Sequence, residues 1–317
     1  MRETNQINGI VYNNDSEERR GRVSQYHGTS RLGFNEHHKG AKSTDIAQLK
    51  TIDIQNIKLD SDTGDYQSKF TIGMEVEKTR FYRGAVKSYP LFAGFETDSS
   101  CGYEAVTHIL PLLPAGQWRN KVYSMMHDAK RIIDDAYSPS NTRCGGHVTL
   151  AVDGMTGEEI ANAIRKNVGI VYALFRKRLG NHYCNSNPLI SVGDDAPSTR
   201  YQVVLVKGDV IEFRVVSRFQ SVKQMMRRYE LFYELLNFSI NNPNGSHNAF
   251  LKKITPIIKS MYAGDMDKVT EIISLAKHFR KYLTTGKVNR GVIDILDPTR
   301  SRMTDSYDMD LLTNGYR

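Results

Sequence analysis

Glu75 and Glu77, His147 and Thr149, and Glu212 and Arg214 are pairs of chemically capable residues, each pair two positions apart in an otherwise apolar stretch. Successive side chains of a β-strand point to opposite faces, so in Gly73-Met74-Glu75-Val76-Glu77, Gly146-His147-Val148-Thr149-Leu150 and Ile211-Glu212-Phe213-Arg214-Val215 each pair shares a face. The other face carries Ile72, Met74 and Val76, then Val148, Leu150 and Val152, then Ile211, Phe213 and Val215. A half-buried antiparallel strand usually shows water Thr, Lys and Ser. Here that face collects three glutamates, a histidine and an arginine, the residue types of a phosphate and metal site.

Repulsion sharpens the expectation. Two carboxylates on one strand face, two residues apart, are separated by roughly 6.7 Å of strand rise. At an effective dielectric near 20 they repel by about 2–3 kcal/mol, and a further glutamate on a neighbouring strand adds to this. Cations must compensate, either Lys and Arg or bound metal. Carboxylates with one imidazole and no thiolate suit hard ions such as Mg²⁺ or Mn²⁺ better than structural zinc.

The elements that must hold these residues read as follows. Residues 1–65 are rich in Asn, Ser, Gly, Asp and Arg without sustained period, and His27, His37 and His38 lie in this irregular arm. Strands are expected near Lys69–Glu77 and Tyr103–His108, then a helix over Gly116–Tyr137 after the Pro111 and Pro114 loop. The strand His147–Val152 follows, and Thr156-Gly157-Glu158-Glu159 opens a helix to Leu179 as a capping box. Gly180–Ser198 reads as a loop. Gly208-Asp209 joins Tyr201–Lys207 to Val210–Ser217 as a hairpin. Helices over Ser221–Asn237, His247–Met261 and Asp265–Tyr282 complete the chain before a polar tail. The class is therefore α+β with a mainly antiparallel sheet.

Composition narrows the function classes. With 317 residues and 39% hydrophobic content the chain supports a sizeable core, and a mean hydropathy of −0.48 with no run near ~20 apolar residues argues against a membrane span. The polar start lacks a signal-peptide apolar region, and Cys101, Cys144 and Cys184 make an odd count, so a reducing cytoplasm is expected. A net charge of +8 suits nucleic acid or an enzyme of anionic substrates. Base-reading motifs, long basic blocks and aromatic–basic interleaving are absent, which weighs against nucleic acid.

In order, the marked segments resemble the amidoligase family of carboxylate–amine ligases, which has a glutamine synthetase-like fold. The resemblance runs through Gly73-Met74-Glu75-Val76-Glu77, Glu96-Thr97-Asp98-Ser99-Ser100-Cys101-Gly102-Tyr103-Glu104-Ala105-Val106-Thr107, Arg143-Cys144-Gly145-Gly146-His147-Val148-Thr149, and Arg200-Tyr201-Gln202-Val203 leading to Ile211-Glu212-Phe213-Arg214. It covers roughly residues 68–240. It implies a curved, mainly antiparallel sheet with helices on one face, in an amidoligase domain over 66–242. A helical extension would occupy 243–298 and a polar tail 299–317. It further implies that Glu75, Glu77, Glu104, His147 and Glu212 hold Mg²⁺ or Mn²⁺. Arg214 would neutralise the transferring phosphate of ATP. Asp98 would be a ligand or hold the incoming amine, and Arg200 would contact substrate. The family's second histidine, near the nucleotide, is Thr149 here. The implied reaction passes the γ-phosphoryl group to a carboxylate, and an amine attacks the resulting acyl phosphate.

Blander readings stand beside each of these. Glu75 and Glu77 could line a solvated strand face, Glu104 a surface, and His147 a satisfied core position. Glu212 and Arg214 could pair only with each other. Asp98 suits a turn, and Cys144 a small buried hydrophobe. A zinc or thiol chemistry would use Cys144 and His147 with His182 and Cys184. A ligase fold kept as a binding module is the other alternative. Specificity for carboxylate and amine would lie in loops such as Gly180–Ser198, which carry no decodable signature.

Overall fold

The computed structural model describes residues 4–7, 10–13, 69–82, 89, 91–98, 101–107, 110–141, 143–152, 154–178, 203–207 and 210–285. Strands β1 (Thr4–Ile7) and β2 (Ile10–Asn13) pair antiparallel as a separate ribbon. The main sheet is built from β3 (Phe70–Lys78), β4 (Phe92–Asp98), β5 (Gly102–Thr107), β6 (Leu110–Pro111), β7 (Val148–Val152), β8 (Val204–Lys207) and β9 (Val210–Phe213). Its order is β4-β5-β3-β7-β9-β8, with β6 on β3. The pairs β3–β5, β3–β6, β3–β7 and β4–β5 are all antiparallel. The helices are α1 (Gln117–Asp128), α2 (Lys130–Ile133), α3 (Gly157–Ile164), α4 (Gly169–Leu174), α5 (Val222–Asn241), α6 (His247–Met261) and α7 (Met266–Thr285). The class is α+β with a mostly antiparallel sheet, as expected.

Two compact units divide the chain: residues 1–156 with 207–210 and 218–226, and residues 157–206 with 211–217 and 227–317. The division falls inside β9, after Val210. In the first unit Ile72, Met74, Val76, Val148, Leu150, Ile132 and Ile133 are fully buried. In the second, α4 lies so close to α7 that a Cβ on Gly169 would stand 2.6 Å from the Ala276 carbonyl oxygen. Tyr172 meets Phe279 at 5.8 Å there, and Phe213 meets Phe232 at 4.9 Å between ring centroids.

Several elements depart from the sequence reading. The helix expected over Gly116–Tyr137 stops at Ile133, with a break at Ala129. Tertiary partners capture its final carbonyls: Lys78 Nζ donates to Ile133 O at 2.5 Å and Ser138 Oγ to Arg131 O at 2.5 Å. The helix expected to reach Leu179 divides into α3, α4 and a 3-10 turn at Arg176–Arg178. Between α3 and α4, Asn167 turns its side chain to Ser239 Oγ at 3.0 Å and His247 Nδ1 at 3.1 Å. β4 and β6 lie where no strand is expected, and β1 and β2 lie in the arm read as irregular. Asn8-Gly9, between β1 and β2 in sequence, is a strong two-residue hairpin signal. Ser221 caps α5 as expected, accepting from Gln224 N at 3.2 Å, while Gln224 Oε1 accepts from Gln220 N. Residues 286–298, the tail from 299, Gly180–Ser198 and His27, His37 and His38 lie outside the described residues.

Candidate metal centre

All nine residues of β3 are buried, and so are all five of β7 and all four of β9. The expected water-facing side of these strands is therefore covered, and Glu75, Glu77, Glu104 and Glu212 are only 3%, 7%, 7% and 1% exposed. Burial excludes the solvated-face reading and raises the demand for a compensating cation.

The β3–β7 ladder continues one step past β7, where Glu75 N donates to His147 O at 3.0 Å. This sets the imidazole beside the Glu-x-Glu face. His147 Nδ1 stands 2.5 Å from Glu75 Oε2, and Nε2 stands 3.6 Å from Glu77 Oε1. Glu77 Oε2 in turn accepts from Gly145 N at 2.5 Å. On the other side of β3, Glu77 is directly opposite Glu104, and Glu104 is opposite Glu96 of β4. Directly opposite residues share a sheet face, so Glu77 and Glu104 form a like-charged cross-strand pair, an arrangement that repels unless neutralised.

Glu212 comes from β9 and pairs with the guanidinium of Arg214, two residues on. Glu75 and His147 lie in the first compact unit and Glu212 in the second. Carboxylates with an imidazole and no thiolate are the donor types that suit a hard divalent ion. The hydrogen bond from Nδ1 to Glu75 leaves Nε2 as the ring's ligand atom, and a carboxylate behind an imidazole is the usual way such a ligand is oriented.

The remaining expected residues fall out unevenly. Thr149 is buried and pairs in register with Gly73, on the carboxylate face. Asp98 ends β4 opposite Gly102, so it is a strand residue where a turn was the bland expectation. Arg200, His182 and Cys184 lie outside the described residues. Cys144 is fully buried, its Sγ 3.6 Å from Asn141 Oδ1, and burial pushes its thiol up from the ordinary value.

Sequence reasoning missed two contributors. Gly145 supplies the amide that fixes Glu77. Lys78 is the second, at 0% exposure, donating to Ile133 O at 2.5 Å, Asp135 Oδ1 at 2.7 Å and Phe219 O at 2.8 Å. A lysine closing an apolar strand gives no signal in the sequence.

No protein family model and no curated protein matches the chain. Among the described residues, no helix is long and apolar enough to cross a membrane.

Proposed function

We propose that this chain is an ATP-dependent carboxylate–amine ligase whose divalent ion, Mg²⁺ or Mn²⁺, is held by Glu75, Glu77 and His147, with Glu104 beside them and Glu212 assigned to the ion on the resemblance alone. The observation that carries the reading is the buried cluster of the first unit, where His147 Nδ1 stands 2.5 Å from Glu75 and Nε2 3.6 Å from Glu77. Buried carboxylates in such a group are costly without a cation. Their order along the chain, Glu-x-Glu, Glu104, His147, then Glu212-x-Arg214, is the order of the amidoligase resemblance.

When bound, the metal would offset phosphate charge and act as a Lewis acid. The chain's own residues have separate tasks in this reading. Glu75 orients His147 through Nδ1, Gly145 N–H fixes Glu77, and Arg214 meets the anionic oxygens of the nucleotide. Asp98 and Arg200 remain assigned to the amine and the substrate on the resemblance alone. Cys101 and Cys144 as free thiols accord with a reducing cytoplasm. A binding module without catalysis is the second reading, and the engagement of Arg214 by Glu212 favours it.

An ADP-release assay with pools of carboxylates and amines decides between the two. For a ligase, Arg214→Ala lowers turnover by roughly two to four orders of magnitude, the scale of losing a preorganised charge donor, with a smaller change in ATP affinity. Wild-type protein that binds ATP with Mg²⁺ and releases no ADP with any pool leaves the binding module.

A further inference from the structure

The second compact unit holds a buried histidine that the ligase chemistry does not use. His247 opens α6 and is 2% exposed. Asn167 Nδ2 donates to Ser239 Oγ at 3.0 Å, and Asn167 Oδ1, 3.1 Å from His247 Nδ1, accepts the ring's N–H. The ring is neutral at ordinary pH, because burial and the charges of Arg280, Lys277 and Lys166 lower its pKa to about 4. Nε2 therefore carries a lone pair, and among the described residues no group meets it. A buried acceptor left in that state is destabilising, and it points to something the protein receives from outside.

The surroundings of that lone pair are positive. Lys166 Nζ donates to Gly245 O at 2.5 Å, two residues before the ring. α7 passes so near Gly169 that a Cβ there would stand 2.9 Å from Arg280 N, which sets Arg280 by the Asn167 turn with Lys277 one turn earlier. Arg280 contributes its charge whatever else it holds. α6 adds the positive end of its dipole at His247 and has no acidic residue in its first turn. A metal ion or an ammonium is repelled by three cations. Water meets the lone pair but not the charge, and an anion without a proton meets the charge but not the lone pair. We propose that this corner of the second unit binds a phosphate group that keeps a hydroxyl, either inorganic phosphate or a phosphate monoester. Its P–OH donates to His247 Nε2, and its charged oxygens face Lys277, Lys166 and the start of α6. Ser246, Asn248 and Lys277 are exposed and Gly245 is half-buried, so the ring lies just beneath the surface, within reach of a ligand from solvent.

Nitrogen-15 resonances of the histidine rings in the full chain, with divalent metal removed by EDTA, test this at constant ionic strength. A pH of ~6 is near the second pKa of a phosphate monoester, so the hydroxyl form is well populated. His247 is recognised as the ring that stays neutral down to about pH 4. Inorganic phosphate and methyl phosphate should shift its Nε2 resonance and saturate. Saturation by either carries the proposal, and the tighter of the two names the source. Sulfate and dimethyl phosphate, which bring charge without a hydroxyl, should leave the resonance in place. By calorimetric titration, His247→Gln should bind phosphate roughly tenfold or more weakly, the scale of one hydrogen bond to a charged group. Lys277→Ala should weaken it several-fold, the scale of one exposed charge. A resonance that no phosphate moves leaves Nε2 to a buried water and overturns the proposal. An equal response to sulfate overturns it as well, since the effect is then one of anions in general. Should His247→Gln fail to fold, phosphate affinity unchanged in Lys277→Ala, where only an exposed side chain is cut, overturns the proposal by itself.

Discussion

Glu77 and Lys78 are neighbours on β3, both buried, yet their charges are met in opposite ways. Lys78 points to the apolar face and spends its three donors on two carbonyls and Asp135, all fixed parts of the fold. Burial still lowers its pKa from the ordinary lysine value, with Asp135 opposing the shift. Glu77 points to the face shared by Glu75, Glu104 and His147, where carboxylates gather around one imidazole. One face is saturated by groups that cannot leave; the other is a set of acceptors that a mobile cation can serve. Burial of charge does not by itself mark a functional site. Whether the compensating partners are exchangeable does.

The comparison breaks hardest at Lys78. Lys78→Met keeps the chain length but takes the ammonium from two backbone carbonyl oxygens and from Asp135, which keeps only its hydrogen bonds from Ser140 and Gln220. Unfolding in urea should show a loss of about 3–5 kcal/mol, the scale of deleting one member of a buried pair. An unchanged midpoint would mean that the Lys78 cluster is not structural.

His247 sharpens the contrast as a buried basic group that takes neither course. At 2% exposure, its Nδ1 meets Asn167, and its pKa is lowered from 6.5 to about 4 by burial, then by Arg280, Lys277 and Lys166. Because the folded value lies below the unfolded one, the unfolded chain takes up the proton first as pH falls. The stability is therefore complete above about 6.5 and lost on the way down to about 4. Integrated over that window the loss is about 3 kcal/mol. Chemical denaturation from pH 7 to pH 4 should show this slope, and His247→Asn should flatten it.

On the carboxylate face, ligand linkage gives a measurable shift. Mn²⁺ at ~100 times its dissociation constant should stabilise wild type by about 2.7 kcal/mol. Glu75→Gln should abolish the rise in melting temperature while the protein remains folded, whereas Lys78→Met should retain a rise from its lower starting point. A rise that survives Glu75→Gln places the ion elsewhere. The smallest effect belongs to Glu77→Gln without metal. Its amide oxygen still accepts from Gly145 N–H, and the repulsion with Glu104 is relieved, so stability should stay level or increase by about 1 kcal/mol.

What the sequence determined by itself was the local part: which residues share a strand face, and where strong helix signals begin. The two-residue period put Glu75 with Glu77 and Glu212 with Arg214 on common faces, because side-chain alternation is fixed by backbone geometry. α6 runs over His247–Met261 as read, with Ser246 accepting from Ala249 N at its start, since capping too is local. Tertiary structure decided the rest. β4 escaped notice because Phe92-Ala93-Gly94-Phe95 has no alternation and the strand is irregular between Phe92 and Gly94. That Glu77 stands opposite Glu104 is a matter of register, set by long-range pairing. The helix end at Ile133 depends on a lysine 55 residues away in sequence. The burial of both faces of β3, which turns a polar strand face into a candidate metal centre, depends on what covers the sheet. Pattern gives the direction in which a side chain points; only packing decides what it meets there.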